Sequence, residues 1–291
     1  WRFEFYAPQG SRAEDLPDPV LATSQFPTDD DQGAAVAAWD ITVKDAGGAT
    51  KNGRVFTNYL ALNTGLNSLG SQVVMSKFNV LTKDGYVYEI SFNGADPFRY
   101  VFLSNNRGFI DKTNNTSLYH SPSTGAANDN FLDFIKNSGN VAVQMPNVPD
   151  TVTDITHKIF FNYPSSDLPA SMPITPIAPA GVSEFKFTGT SGVEGKMGND
   201  GEGGQFSFKL TTAGSYQIII DTNKDGNYYP GVDREISNIG LAGLNYAFWD
   251  GKDVNGTVLT NLSTYNVKII TRGGEQHFPL LDTEHNAYGI K

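Results

Sequence analysis

The sequence predicts an all-β protein made of two tandem β-sandwich domains, with one short helix in the first. Short runs rich in aromatic and β-branched residues recur along the chain, separated by turn formers. The 30 Gly and 15 Pro are scattered through all 291 residues rather than gathered in a tail. Only one segment carries helical spacing. The length allows each domain its own core.

In the first domain the strand-like runs are Arg2 to Tyr6, Ala38 to Val43, Arg54 to Leu62, Val73 to Leu81, Tyr86 to Phe92, Tyr100 to Leu103, Val141 to Gln144 and Lys158 to Phe161. Lys83-Asp84-Gly85 separates two of them and is a hairpin signal, because Asp-Gly tolerates the positive φ that a tight turn requires. The helix is expected after Asn128 or Asp129, either of which can cap a segment with Phe131, Phe134 and Ile135 on one face. Asn137-Ser-Gly139 then stops it.

From Pro164 to Pro179 the prolines remove ladder donors and favour extended geometry. The expected organisation is a β-rich domain over 1–165, a Pro-rich linker over 166–181 that acts as a semi-rigid spacer, and a second domain over 182–291. Strands are expected there at Glu184 to Thr188, Gln205 to Thr211, Tyr216 to Ile220, Tyr246 to Trp249, Tyr265 to Thr271 and His277 to Leu281. That is sandwich density. Gly192 to Gly204 is polar and glycine-rich, lacks the Gly-Lys-Ser/Thr ending of a phosphate loop, and reads as a flexible hairpin tip.

Composition narrows the partners. With 21 basic and 31 acidic side chains the formal charge is −10, which opposes nucleic acid and anionic lipid and suits a calcium-rich medium. The chain has no Cys, which excludes disulfides, thiolate zinc sites and cysteine nucleophiles. No apolar run approaches the ~20 residues of a membrane helix, so membrane insertion is not expected. The Trp1 start, without an initiator Met or a signal sequence, reads as a mature product or an excised piece.

Asp221-Thr-Asn-Lys-Asp-Gly226 follows the apolar run Tyr216 to Ile220 and sets oxygen side chains at alternate positions, the way a loop wraps a hard cation. Asp221, Asn223 and Asp225 are the expected side-chain ligands. Gly226 allows the sharp turn, and Asn227 can add a main-chain carbonyl. Val232 stands where an EF-hand places its closing acid, but Asp233 one residue later can close a different, non-helical loop. A structural Ca²⁺ on a strand-to-strand loop is favoured over a solvated polar turn.

Phe248-Trp-Asp-Gly-Lys-Asp-Val-Asn-Gly256, with the strand Thr264-Tyr-Asn-Val-Lys-Ile after it, resembles the Ig-like module of flagellar hook-capping proteins and of repetitive bacterial surface proteins. Phe206-Ser-Phe, Tyr216 to Gly226, Gly231-x-Asp233, Trp249-Asp-Gly251 and Gly274 to Asp282 extend the similarity over most of 182–291. The resemblance implies an exported protein with Ig-like or jelly-roll-like sandwiches, in which Trp249 packs inside while the acidic turn links strands. In the first domain, Arg54 to Asn63, Asn79 to Tyr88 and Phe102 to Phe109 look like segments that precede such modules, and no activity is attached to them.

Other constellations have two readings each. Asp250, Asp253 and Asn255 have loop-compatible spacing for a second cation, against side-chain capping of their own turn. Thr28-Asp-Asp-Asp31 and Asp282-x-Glu284-x-Asn286 are acidic, the first reading mainly as a solvated loop. Tyr86, Tyr88 and Tyr100 are a sugar-stacking platform or one core face. His120, His157, His277 and His285 have neither H-E-x-x-H spacing nor a G-x-S-x-G turn near them, so no catalytic residue is expected. The expected role is a non-catalytic structural or adhesive segment at the cell surface or in an extracellular filament, with other copies or neighbouring domains as partners and calcium as stabiliser. A carbohydrate-binding adhesin is the alternative, and a secreted glycan-active enzyme stands behind it.

Overall fold

The computed structural model describes residues 40–62, 76–94, 100–120, 140–146, 148–279 and 289–291. Among them the fold is all-β, with no helix. The expected strand at Arg2 to Tyr6 and the expected helix around Phe131 to Ile135 lie outside the described residues.

The first nine strands are β1 (Phe56–Thr57), β2 (Tyr59–Leu62), β3 (Lys77–Leu81), β4 (Val87–Ser91), β5 (Tyr100–Leu103), β6 (Phe109–Asp111), β7 (Thr116–Leu118), β8 (Val141–Val143) and β9 (Lys158–Phe160). They form a sheet in the order β1-β9-β3-β4, a ribbon β2-β5 and a sheet β7-β6-β8. Successive strand residues point to opposite faces, and the ribbon uses both. Leu60 and Phe102 join Phe78, Val80, Ile90, Phe92 and Ile159 in one core, while their neighbours Tyr59 and Leu103 join Val143, Phe109 and Met145 in another. The expected Lys83-Asp84-Gly85 hairpin is present, with Leu81 opposite Val87 and Gly85 at φ 85°.

The second unit comprises β10 (Val182–Gly189), β11 (Gly204–Leu210), β12 (Gly214–Asp221), β13 (Arg234–Gly240), β14 (Gly243–Trp249) and β15 (Asn266–Arg272). Two three-stranded sheets, β10-β11-β14 and β13-β12-β15, face each other. Strand β11 alternates strictly, burying Phe206, Phe208 and Leu210 while Gln205 and Lys209 face out. These meet Tyr216, Ile218 and Ile220 of β12 and Ala247 and Trp249 of β14 in a single core. Trp249, 3% exposed, packs against Phe187 and Tyr265 and donates its indole N–H to the Lys252 carbonyl at 3.0 Å. Gln217 and Ile219, on the opposite face of β12, are buried too, so that sheet is covered on both sides. The polar segment between β10 and β11 is not wholly outside the core, because Met197 turns in and is buried.

The Pro-rich segment runs against the first unit: the Ile177 N–H donates to the Asp84 carbonyl at 2.8 Å, and Asp167 pairs with Arg54. After β15 the chain crosses back. The Tyr88 hydroxyl donates to the Gly274 carbonyl at 2.8 Å, and a Cβ at Gly274, where φ is +74°, would lie 2.7 Å from the Tyr86 ring. His277 and Asn105 exchange backbone hydrogen bonds, and Phe278 and Ile290 pack on the first core. Only His277 of the strand expected from His277 to Leu281 forms a bridge among the described residues.

Candidate metal centre

The loop after β12 is built by its ends. Ile220 stands opposite Arg234, so Asp221 and Asp233 follow on facing chains at the mouth of the β12–β13 hairpin. Both are buried, at 0% and 1% exposure. Between them the chain curls through three residues of positive φ, Lys224 at 62°, Gly226 at 79° and Gly231 at 84°. A glycine suits the second position because positive φ carries no Cβ penalty there.

Each buried carboxylate gathers backbone donors. Asp221 accepts N–H bonds from Asp225 (3.2 Å) and Gly226 (3.0 Å). Asp233 accepts from Thr222 (3.2 Å) and Tyr229 (3.0 Å), reaching both ends of the loop. Asn223 Oδ1 accepts from the Asp225 N–H at 3.0 Å, and Asp225 Oδ1 accepts from Asn227 at 2.7 Å. The loop thus brings Asp221 and Asp233 to its base, while Asn223, Asp225 and Asn227 lie exposed above.

Two bonds leave lone pairs on each buried carboxylate, which can accept about four. Among the described residues no Lys, Arg or His stands within ion-pair distance of Asp221 or Asp233. The loop's own lysine, Lys224, lays its ammonium over the Tyr265 ring, 4.8 Å from the centroid. Unpaired buried charge is costly, and a hard cation that takes oxygen ligands offsets that cost. The donor set is all oxygen and so fits Ca²⁺. No group of three or more His, Cys, Asp or Glu that could hold a metal stands together among the described residues, so the set depends on carboxamide and main-chain oxygens as well.

The second acidic loop is occupied by its own turn. Asp253 Oδ1 accepts from the N–H groups of Asn255 (2.9 Å) and Thr257 (2.8 Å). Asp250 caps the Lys252 N–H and pairs with Arg234 at 3.4 Å. Tyr86 and Tyr88 cover the Gly273–Gly274 turn. Asp29 to Asp31 and Asp282 to Asn286 lie outside the described residues, as does the side chain of Tyr100.

Sequence reasoning missed a buried polar cluster at the start of Ser104-Asn-Asn-Arg-Gly108, since a polar run after an apolar strand reads as a surface loop. Ser104, Asn105, Asn106, Arg107, Thr156 and His157 are all buried. Arg107 pairs with Asp154 at 2.9 Å and donates to the Asn115 carbonyl. Burial raises the Asp154 carboxyl, yet hydrogen bonds from Thr153 and the Arg107 guanidinium outweigh it and hold the group below its ordinary range. His157 Nδ1 lies 3.2 Å from Ser104 Oγ, and burial pushes the imidazole down to about 3. An imidazole so depressed stays neutral near pH 7.

No family model, curated protein or solved structure matches this chain.

Proposed function

We propose that the chain is a non-catalytic structural segment of an extracellular bacterial surface or filament protein, and that Ca²⁺ held by Asp221, Asn223, Asp225, Asn227 and Asp233 stabilises its second sandwich. One observation carries the calcium reading: Asp221 and Asp233 are both fully buried at one hairpin mouth, and among the described residues no cationic side chain lies within ion-pair distance of either. A bound dication supplies the missing charge and ties the two strand ends together, so local opening of the β12–β13 hairpin becomes rarer.

The mechanical role rests on architecture. Three β layers and a two-sheet sandwich are joined twice, by the Pro-rich segment and by the returning chain after β15, and force applied to one unit passes to the other through both. The assembly role rests on β14, an edge strand without a charged residue that exposes Leu244, Tyr246 and Phe248 at 54%, 56% and 62%. Edge strands of monomers ordinarily carry charge or proline against pairing. The surface and filament setting rests on the resemblance of 182–291 to Ig-like modules of exported proteins.

Calorimetry of metal-stripped protein with and without added Ca²⁺, followed by light scattering in both states, tests the reading. A rise in melting temperature with Ca²⁺ supports it, and identical melting with metal removal confirmed defeats it. At a free concentration 100 times the dissociation constant the gain is about 2.7 kcal/mol.

A further inference from the structure

We infer that Lys158 and Asn58 form a side-chain amide cross-link, with Asp150 as the proton shuttle. The chain carries no cysteine, so no disulfide can tie its strands. Thr57 of β1 stands opposite Ile159 of β9, which places Asn58 opposite Lys158 at the next step of the same register. Lys158 Nζ lies 3.1 Å from Asn58 Oδ1, and Asp150 Oδ2 lies 3.8 Å from the same Nζ. The carboxamide is held from its other end, where Nδ2 donates to the Pro146 carbonyl at 3.0 Å. Asp150 is itself fixed, since its Oδ1 accepts the Thr156 N–H at 2.8 Å.

Lys158 is three-quarters covered, with 24% of its side chain exposed, and Asp150 is at 32%. Amine and carboxamide are thus already in contact, in orientations set by separate parts of the fold. Such placement removes most of the entropic barrier to a reaction between two side chains.

The step balances without any added reagent. Asp150 takes a proton from the Lys158 ammonium, and the freed lone pair of Nζ adds to Cγ of Asn58. The tetrahedral adduct collapses by breaking the Cγ–Nδ2 bond. Nδ2 leaves as ammonia and collects the proton held by Asp150 together with one from Nζ, so an ammonium ion departs and a secondary amide remains. One ammonium charge enters and one leaves, and nothing is oxidised or reduced. The product ties the β1–β2 junction to β9 across 100 residues of chain. A covalent closure of that length restricts the unfolded chain and holds the first unit shut under load.

Intact mass and tryptic mapping of the purified, folded chain test the inference, and neither depends on calcium or on the second sandwich. The expected result is a mass lower than the sequence mass by one ammonia, with a branched peptide that joins the Asn58 and Lys158 segments and is uncut after Lys158. Lys158→Arg and Asn58→Ala each restore the full mass, and Asp150→Asn slows or abolishes the loss. A wild-type chain at full mass that is cleaved normally after Lys158 overturns the proposal. An ammonia loss confined to a linear peptide, as from a succinimide at Asn255-Gly256, overturns it as well.

Discussion

The Phe278 ring lies nearly parallel to Phe102, with centroids 5.3 Å apart and 18° between planes. Phe102 also meets Phe92 edge-on at 5.0 Å and Phe78 at 6.3 Å. The aromatic core of the first unit is therefore completed by a residue that follows the whole second sandwich in sequence. Offset and edge-on aromatic contacts add to the stabilisation from buried area, so Phe278 acts as an anchor rather than a cover.

Phe278→Ala is expected to destabilise the first unit by about 2 kcal/mol, below the ~3–5 typical of a fully buried phenylalanine because Phe278 is only partly buried. Denaturant unfolding followed by probes in each unit checks this. An unchanged midpoint for the first unit contradicts it.

Trp249 sits deeper. At 3% exposure, with its indole N–H bonded to Lys252, it joins the sandwich core to the acidic turn that follows β14. Trp249→Ala should cost about 3–5 kcal/mol, and Trp249→Phe should recover much of it by refilling the space while still losing the hydrogen bond. Wild-type stability of Trp249→Ala would show that the core does not depend on this ring.

Much of this was legible beforehand. The strict alternation of Phe206, Phe208 and Leu210 and the apolar run ending at Ile220 are local signals, and both became core strands. Trp249 in the core followed from the resemblance of its acidic turn to Ig-like modules, together with its large apolar surface. Three strands escaped: β6 and β7 are short and set among the turn formers Asn105-Asn-Arg-Gly108 and Lys112-Thr-Asn-Asn115, and β13, Arg-Glu-Ile-Ser-Asn-Ile-Gly, has no aromatic and is half-buried along most of its length. Residues 40–43, read as part of a strand, form none; they stand exposed or half-exposed, and among the described residues no strand pairs with them. The base of the acidic loop was only partly readable. Spacing named Asp221 and Asp233, but their burial and lack of a cation depend on the sheet around them. The polar cluster at Asn105 and Arg107 was illegible for the same reason, since its partners Asp154, Thr156 and His277 come from distant segments.

Stability should fall as pH drops from about 6.5 toward 3, with His157 as a main cause. In the folded chain burial keeps its imidazole neutral down to about 3; the charge on Asp84 opposes this, and charges on His277, Lys158 and Lys83 push the same way as burial. In the unfolded chain the ring protonates near 6.5. Between those values the unfolded state binds the extra proton, so stability rises with pH by up to about 1.4 kcal/mol per unit. Asp154 and Glu275, whose folded carboxyls are depressed, lose their contribution in a lower window, as pH falls past the ordinary carboxylate range. His157→Gln should flatten the profile from about pH 6.5 down to about 3, leaving only the acid loss that the carboxylates contribute. Equal slopes for variant and wild type in that interval would assign the loss to other groups.

The loop proposed to hold Ca²⁺ makes a prediction that separates scaffold from ligand. Asp233 is buried and accepts two backbone bonds that close the loop, so Asp233→Ala leaves the Thr222 and Tyr229 N–H groups short of partners whether or not metal is present. It should lower stability in chelator by about 1–3 kcal/mol and abolish the response to Ca²⁺ as well. Asp225 differs, because its side chain is exposed and its main hydrogen bond, to the Asn227 N–H, spans a single turn. Asp225→Ala should therefore change the chelated protein by less than about 1 kcal/mol while reducing or removing the rise in melting temperature that Ca²⁺ gives the wild type. Melting curves of the three proteins in chelator and in Ca²⁺ separate the two roles. If Asp225→Ala responds to Ca²⁺ as the wild type does, the carboxylate at the loop's fifth position is not a ligand, and any ion present must be held by the buried pair with Asn223 and main-chain oxygens alone.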